Sequence, residues 1–516
     1  MNENRKVTRA AGIIGISTLA SRILGFVRDM ILAWFFGAGK LSDAFFVAFR
    51  IPNLLRRLLA EGTLTMAFVP VFAEYLEKKG RNEAFAMARS AMRMLSVVLA
   101  IITVSGVFGA PLLVYIFAPG FSGETYDITV LLTRIMFPYI FFICLVALAM
   151  GILNTMGHFA APAFAPVLLN VGIIIGALAI APMMSAPVHG LAAGVLLGGI
   201  LQLALQVPFL AKKGFRFWEY APLYHPGIKK IAILMGPAVF GAAVYQINIL
   251  VGTMLASLLP EGSVSYLYYA DRLVQFPLGI FAISTSVAIL PSLSRQAAAK
   301  DLIALENTFS FAMRFVFFIT IPSTIGLIVL KEPIIALLFG RGEFDAASIH
   351  MTAYALLYYA AGLCAFSAVR IVVATFYALQ DTKTPVKMAT ISIMANILLG
   401  IALMGPMKHG GLALATSLAS MINLVLLTRA LKNRIGGLAW KNIVVTAARS
   451  VLSSIIMGII LLYVLRRFPP DYQGASLSLL FYVVSAIMAG TVIYMGISLV
   501  LQKNEMKAVA SMVKRP

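Results

Sequence analysis

Charge is scarce in this chain. Of 516 residues only 12% are Asp, Glu, Lys or Arg, while 61% are hydrophobic and the mean hydropathy is +0.93. Such a composition leaves no room for a soluble domain of appreciable size and predicts an integral membrane protein. Cysteine is scarcer still. Cys144 and Cys364 stand far apart in apolar stretches without metal-ligand spacing, which argues against a disulfide or zinc framework. The five histidines, His158, His189, His225, His350 and His409, fall singly at predicted helix ends, where solvated or carbonyl-bonded roles are expected rather than a metal site. Enzyme signatures are missing as well: there is no Walker A, HExxH, GxSxG or CxxC, and GAGKLS at Gly37 breaks GxGxxG at its last glycine. Neither an ATP-driven pump nor a cofactor or metal enzyme is indicated.

Long apolar runs dominate what is present. The pattern predicts an all-α polytopic fold of 14 transmembrane helices, at roughly 10–36, 44–76, 88–118, 126–154, 161–183, 187–211, 228–258, 264–293, 308–339, 346–378, 386–406, 409–431, 442–465 and 476–501. The first is expected to be a retained helix rather than a secretion signal, because Arg22 and Arg28 interrupt its apolar run. Stretches such as GIIIG from Gly172 and GVLLG from Gly194 read as small-residue packing faces.

Lys and Arg total 41 against 20 acids, a net charge of +21 that could point to nucleic acid. Its placement says otherwise. About 25 basic residues flank one set of helix ends, including Lys78, Arg89, Arg93, Lys212, Lys230, Lys300 and Lys432, and about six flank the other, among them Lys331, Arg341 and Arg466. The positive-inside rule makes the crowded side cytoplasmic, with both termini there. The excess charge is mainly a topology signal, with attraction to anionic membrane lipids secondary.

Landmarks recur at a nearly constant offset. Pro70 matches Pro291 at 221, Pro111 matches Pro333 at 222, Pro162 matches Pro385 at 223, and Gly190 matches Gly411 at 221. Duplication of a six-helix unit is expected: two parallel repeats around a central cavity, residues 1–216 and 217–435, with 436–516 adding two further helices that serve either as packing accessories or as a groove for a lipid tail.

Against this apolar background, Arg22, Arg28, Arg50, Arg56 and Arg57 stand out within helices 1 and 2. A guanidinium near the bilayer centre costs roughly 2.5 to 3.5 kcal/mol on insertion scales, so these side chains must face protein or water. In SRILGFVRD, Arg22, Gly25 and Asp29 share one helical face, and Ser21, Gly25 and Arg28 an adjacent one. Pro52 interrupts helical hydrogen bonding beside Arg50 and Asn53, and Arg57 and Glu61 have ion-pair spacing. YYADRLVQFP adds Asp271 and Arg272 in helix 8. These charges can simply pair with one another. Yet Arg22, Arg28, Arg50, Arg56, Arg57 and Arg272 outnumber Asp29, Asp43, Glu61 and Asp271 by two, and a fixed surplus of guanidinium forks favours an anion such as a diphosphate.

In SRILGFVRDMILAWFFGAG, SDAFFVAFRIPNLLRRLLAEGTLTMAFVPVF and ADRLVQFPLGIF, and over essentially its whole length, the chain resembles the MurJ (MviN) family of bacterial lipid II flippases, within the multidrug/oligosaccharidyl-lipid/polysaccharide exporter superfamily. The resemblance implies a multi-pass protein of the bacterial inner membrane that moves undecaprenyl-pyrophosphate-linked disaccharide pentapeptide to the outer leaflet, alongside cell-wall synthesis partners. It implies that Ser21, Arg22, Arg28, Asp29, Arg56 and Arg272 bind substrate, with Asp43, Glu61 and Asn170 at matching supporting positions; the charge pattern itself adds Arg57 and Asp271 as supporting cavity residues. Some members hold sodium through an acid in helix 7, but helix 7 here, MGPAVFGAAVYQINILVGTML, has no carboxylate, so that site is not carried over. A monomer is expected. The competing readings are a flippase for another undecaprenyl-linked oligosaccharide, a drug or cation antiporter, and a non-transporting scaffold.

Overall fold

The computed structural model describes residues 3–59, 63–436, 440–472, 476–502 and 505, without the side chains of residues 3–11, of several positions between 237 and 245, and of 476. Every regular element among them is helical. Ten of the helical stretches are long and apolar enough to cross a membrane. The chain divides into two compact units, Met1–Val264 and Ser265–Pro516.

The first unit opens with α1 (Glu3–Phe36), which stops at Gly37. That glycine has φ +59°, a left-handed conformation open to a residue without Cβ, and the Ser42 hydroxyl of the next helix bonds the freed carbonyls of Phe36 and Gly37. The helices α2 (Lys40–Leu59) and α3 (Thr65–Lys78) follow, then α4 (Gly80–Phe108), the short α5 (Ala110–Phe117), α6 (Gly123–Met136), α7 (Tyr139–Thr155), α8 (Ala160–Ile175), α9 (Val188–Lys212) and α10 (Pro226–Ser257). The glycines of α8 and α9 let their backbones touch: a Cβ on Gly172 would lie 2.5 Å from the Gly198 Cα, and one on Gly194 2.7 Å from the Gly172 carbonyl oxygen. The small-residue faces expected from GIIIG and GVLLG thus pack against each other.

Helix α10 docks on α2, α3, α4 and α5. His225 caps its start, its Nδ1 accepting from the Gly227 N–H at 3.1 Å while Nε2 lies 3.2 Å from Glu83 Oε1. At its far end the Ser257 hydroxyl accepts from the Gly120 N–H, where a side chain at 120 would collide with the Ser257 carbonyl.

The second unit holds most of α11 (Ser263–Pro277), then α12 (Ser284–Ala298), α13 (Leu302–Val329), α14 (Lys331–Phe339), α15 (Ala346–Ala378), α16 (Lys383–Ile435), α17 (Trp440–Arg467) and α18 (Ser476–Leu501). Its core packs Leu293, Phe309, Met313, Ile371, Phe376 and Leu427. Helices α17 and α18 are fastened to α13 by Phe318, Met457, Leu461 and Tyr494, with the Tyr494 hydroxyl donating to the Phe318 carbonyl at 2.7 Å.

Several predicted spans differ in detail. The spans at 88–118 and 308–339 each end in a separate short helix, because Gly109 and Leu330 leave helical geometry and Pro111 and Pro333 restart it. The span at 264–293 is interrupted by a π-helical stretch over Leu278–Ile283 after Pro277. Residues 386–406 and 409–431 stay two helical arms within α16, separated by the non-helical backbone of Lys408 (φ 49°, ψ −134°), two residues beyond Pro406.

Candidate functional site

Within the first unit a buried ion pair forms the centre of the arginine-bearing helices. Arg28 and Asp29 are 6% and 1% exposed, and Arg28 Nη2 donates to Asp29 Oδ1 at 2.6 Å, supported by Nε at 3.0 Å. Its remaining fork donates through Nη1 to Asn170 Oδ1 at 3.1 Å. Asn170, on α8, turns its amide N–H to the Ser21 carbonyl at 3.0 Å. Gly25 permits this: Asn170 lies 3.5 Å from where a Cβ at position 25 would stand, so α1 approaches α8 closely. Ser21, Arg28, Asp29 and Asn170 are therefore brought together, with Ser21 taking part through its backbone; the helical pattern sets Arg28 and Asp29 on adjacent faces, and Asn170 is expected only from the family resemblance.

Arg22 and Arg57 are exposed and make no hydrogen bond or ion pair among the described residues. Of the neighbouring guanidiniums, Arg50 Nη1 donates to Thr253 Oγ1 on α10 at 2.7 Å, and Arg56 Nε to Asn53 Oδ1 at 2.9 Å. Asn53 follows Pro52 within α2. Glu61, expected to pair with Arg57, lies outside the described residues.

Asp43 sits apart from this group, in the first turn of α2 and about 20 Å along the axis from Arg56. It is 3% exposed and its Oδ2 accepts from the Gly262 N–H at 2.7 Å, while the Lys40 N–H donates to Glu261 Oε1 at 2.7 Å. A carboxylate holding backbone donors there anchors the start of α2 to the turn after α10.

In the second unit Tyr268, Asp271, Arg272 and Gln275 share one face of α11. Arg272 lies over the Tyr268 ring at 5.0 Å and donates to its hydroxyl from Nη2 at 2.8 Å; Gln275 donates to Asp271. Tyr268 and Thr253 escaped the sequence reading. The spacing of Tyr268 one turn before Arg272 was a signal for the first, whereas Thr253 is one hydroxyl among many in apolar helix. Among the described residues no group of three or more His, Cys, Asp or Glu could hold a metal ion.

The chain resembles known proteins across most of its length. Residues 32–485 match the family model described as lipid II flippase MurJ. A protein of Vibrio cholerae serotype O1, named probable lipid II flippase MurJ, is 40% identical over 437 residues, 83% of each chain. One of Burkholderia cenocepacia, named lipid II flippase MurJ, is 39% identical over 81% of this chain and 82% of its own. Among solved structures, a lipid II flippase MurJ in an inward closed conformation superposes with a TM-score of 0.81 at 29% identity, covering 95% of this chain and 99% of that one. An inward-facing multidrug transporter of the MATE family matches in fold, with a TM-score of 0.68 at 15% identity over 81% of this chain and 94% of its own.

Proposed function

The chain belongs to the MurJ family of lipid II flippases, and from that premise we propose that it carries lipid II across the bacterial inner membrane by alternating access, gripping the pyrophosphate with arginine. It is a transporter rather than a catalyst. The observation that carries the arginine reading is the division of labour on α1 and α2. Arg28 is neutralised by Asp29 and fixed by Asn170, while Arg22 and Arg57 are exposed and held by no carboxylate among the described residues. Planar forks of this kind match phosphate oxygens two at a time. Arg272, poised on Tyr268, supplies a further contact to the head group. An antiporter for cationic cargo needs an ionised acid free to bind it, and Asp29 is already engaged by Arg28.

Fourteen helices in two six-helix repeats remain the proposed layout. The ten spans are joined by α1, by α2 with α3, by α10, and by the second arm of α16. The offset of about 222 residues pairs α5 with α14, each a short helix with proline in its first turns after a long one. By this count α10 opens the second repeat even though it packs with the first unit. We place the prenyl tail in lipid along α17 and α18, and both termini in the cytoplasm.

Depletion in cells tests the proposal: lipid II is expected to accumulate on the cytoplasmic face. Re-expressed Arg22→Ala and Arg272→Lys proteins, at wild-type abundance, should fail to clear it, since Lys keeps the charge and loses the fork. Clearance by both variants would refute the arginine reading while leaving the family assignment intact.

A further inference from the structure

A cavity lies in the first unit among α4, α7, α9 and the 213–225 linker, with a volume of about 740 Å³. That is within the usual range for ligand sites, roughly 300 to 1,000 Å³. Most of its lining is apolar, with Leu145, Leu203 and Leu210 among the walls, and Arg93, Ser96 and Tyr220 supply polar groups. Two features give it direction. Val97, Ile101, Val104 and Phe108 are all exposed and follow one face of α4, so an apolar stripe leads from the opening along the helix. In a chain that spans a membrane, such a stripe faces acyl chains. At the linker, Arg93 donates to the Ala221 carbonyl and lies over the Tyr220 ring at 4.9 Å, but has no carboxylate partner among the described residues. One turn earlier Arg89 pairs with Glu219, which also lies 3.8 Å from Arg216, so one acid serves two guanidiniums and the mouth stays positive.

We propose that this crevice binds one anionic glycerophospholipid of the cytoplasmic leaflet, its acyl chain between α4 and α9 and its phosphate at Arg93. An apolar slot open to lipid accounts for the chain, and a guanidinium without an acid accounts for the head group. The linker residues Phe217, Trp218 and Tyr220, exposed at the same end, provide the amphipathic aromatics that settle at the membrane interface. The transported lipid is not involved; this is a resident lipid site, lined by none of the arginines of α1 and α2.

Trp218 reports on it. Only three tryptophans are present, so Trp34→Phe with Trp440→Phe leaves Trp218 alone on the full-length protein in nanodiscs. Mid-chain brominated phosphatidylglycerol should quench Trp218 at about fivefold lower mole fraction than brominated phosphatidylcholine, the factor expected for one additional cation at the head group. Arg93→Gln should abolish that preference, whereas Lys229→Gln, which removes a charge at the same end outside the crevice, should keep it. Ser96→Phe, which fills the slot, should weaken quenching by phosphatidylglycerol to the phosphatidylcholine level. Equal quenching by the two lipids, equal effects of the Arg93 and Lys229 changes, or an unaltered Ser96→Phe curve would each overturn the assignment.

Discussion

On α1, Arg28 and Asp29 are two opposite charges nearly withdrawn from solvent and compensated by each other and by Asn170. Removing one partner from a buried pair typically costs about 3 to 5 kcal/mol, since the survivor is left uncompensated. Asp29→Asn should therefore lower thermal stability in detergent sharply. Replacing both, Arg28→Met with Asp29→Leu, should return stability to near the wild-type level while flipping stays lost. An Asp29→Asn protein that melts like wild type would mean the pair contributes little to the fold. The sequence made Arg28, Asp29 and Asn170 visible as polar residues in apolar helix. Which acid meets which arginine was left open there, because neighbours on a helix and partners across helices satisfy a guanidinium equally well.

At the scale of elements, backbone contact between α8 and α9 makes its glycines irreplaceable in a way that helical glycines facing open space are not. A Cβ at Gly172 meets the Gly198 backbone at 2.5 Å, and backbone cannot move aside as a side chain tip can; at Gly326 in α13 nothing lies within 4 Å. Gly172→Ala should destabilise by about 1 to 3 kcal/mol, and Gly326→Ala should be neutral or stabilise by up to about 1 kcal/mol, read from paired melting curves. The start of α15 gives a pH-dependent counterpart. Asp345 caps it by accepting from the Ser348 N–H at 2.8 Å, and that hydrogen bond holds its carboxyl below the ordinary carboxylate range. With the folded value below the unfolded one near 3.9, the stabilisation is present above about pH 4 and is lost as pH falls through the folded value. Asp345→Asn still caps but cannot titrate, so its melting temperature should fall less than that of wild type between about pH 5 and pH 3.

For the molecule as a whole, charge placement predicts the orientation in the membrane, and the scarcity of cysteine makes that prediction measurable. Cys144 is buried and Cys364 lies against the Thr320 and Thr324 hydroxyls, so both give little background. Lys300→Cys, in the turn before α13, should be labelled by an impermeant maleimide only after the membrane is opened. Arg341→Cys, in the turn after α14, should react in intact spheroplasts. The reverse pattern would invert the topology. Membrane class, most helix positions, the glycine faces and the set of candidate arginines were all legible in the sequence, because hydropathy, helical periodicity and charge spacing are local properties of the chain. Tertiary structure alone decided that Asp29 neutralises Arg28 through a site completed by Asn170, that Tyr268 seats Arg272, that α10 packs on α2 to α5, and that α4, α9 and the linker enclose a crevice. Each of these depends on segments far apart in sequence, and their meeting is set by packing, which no local pattern encodes.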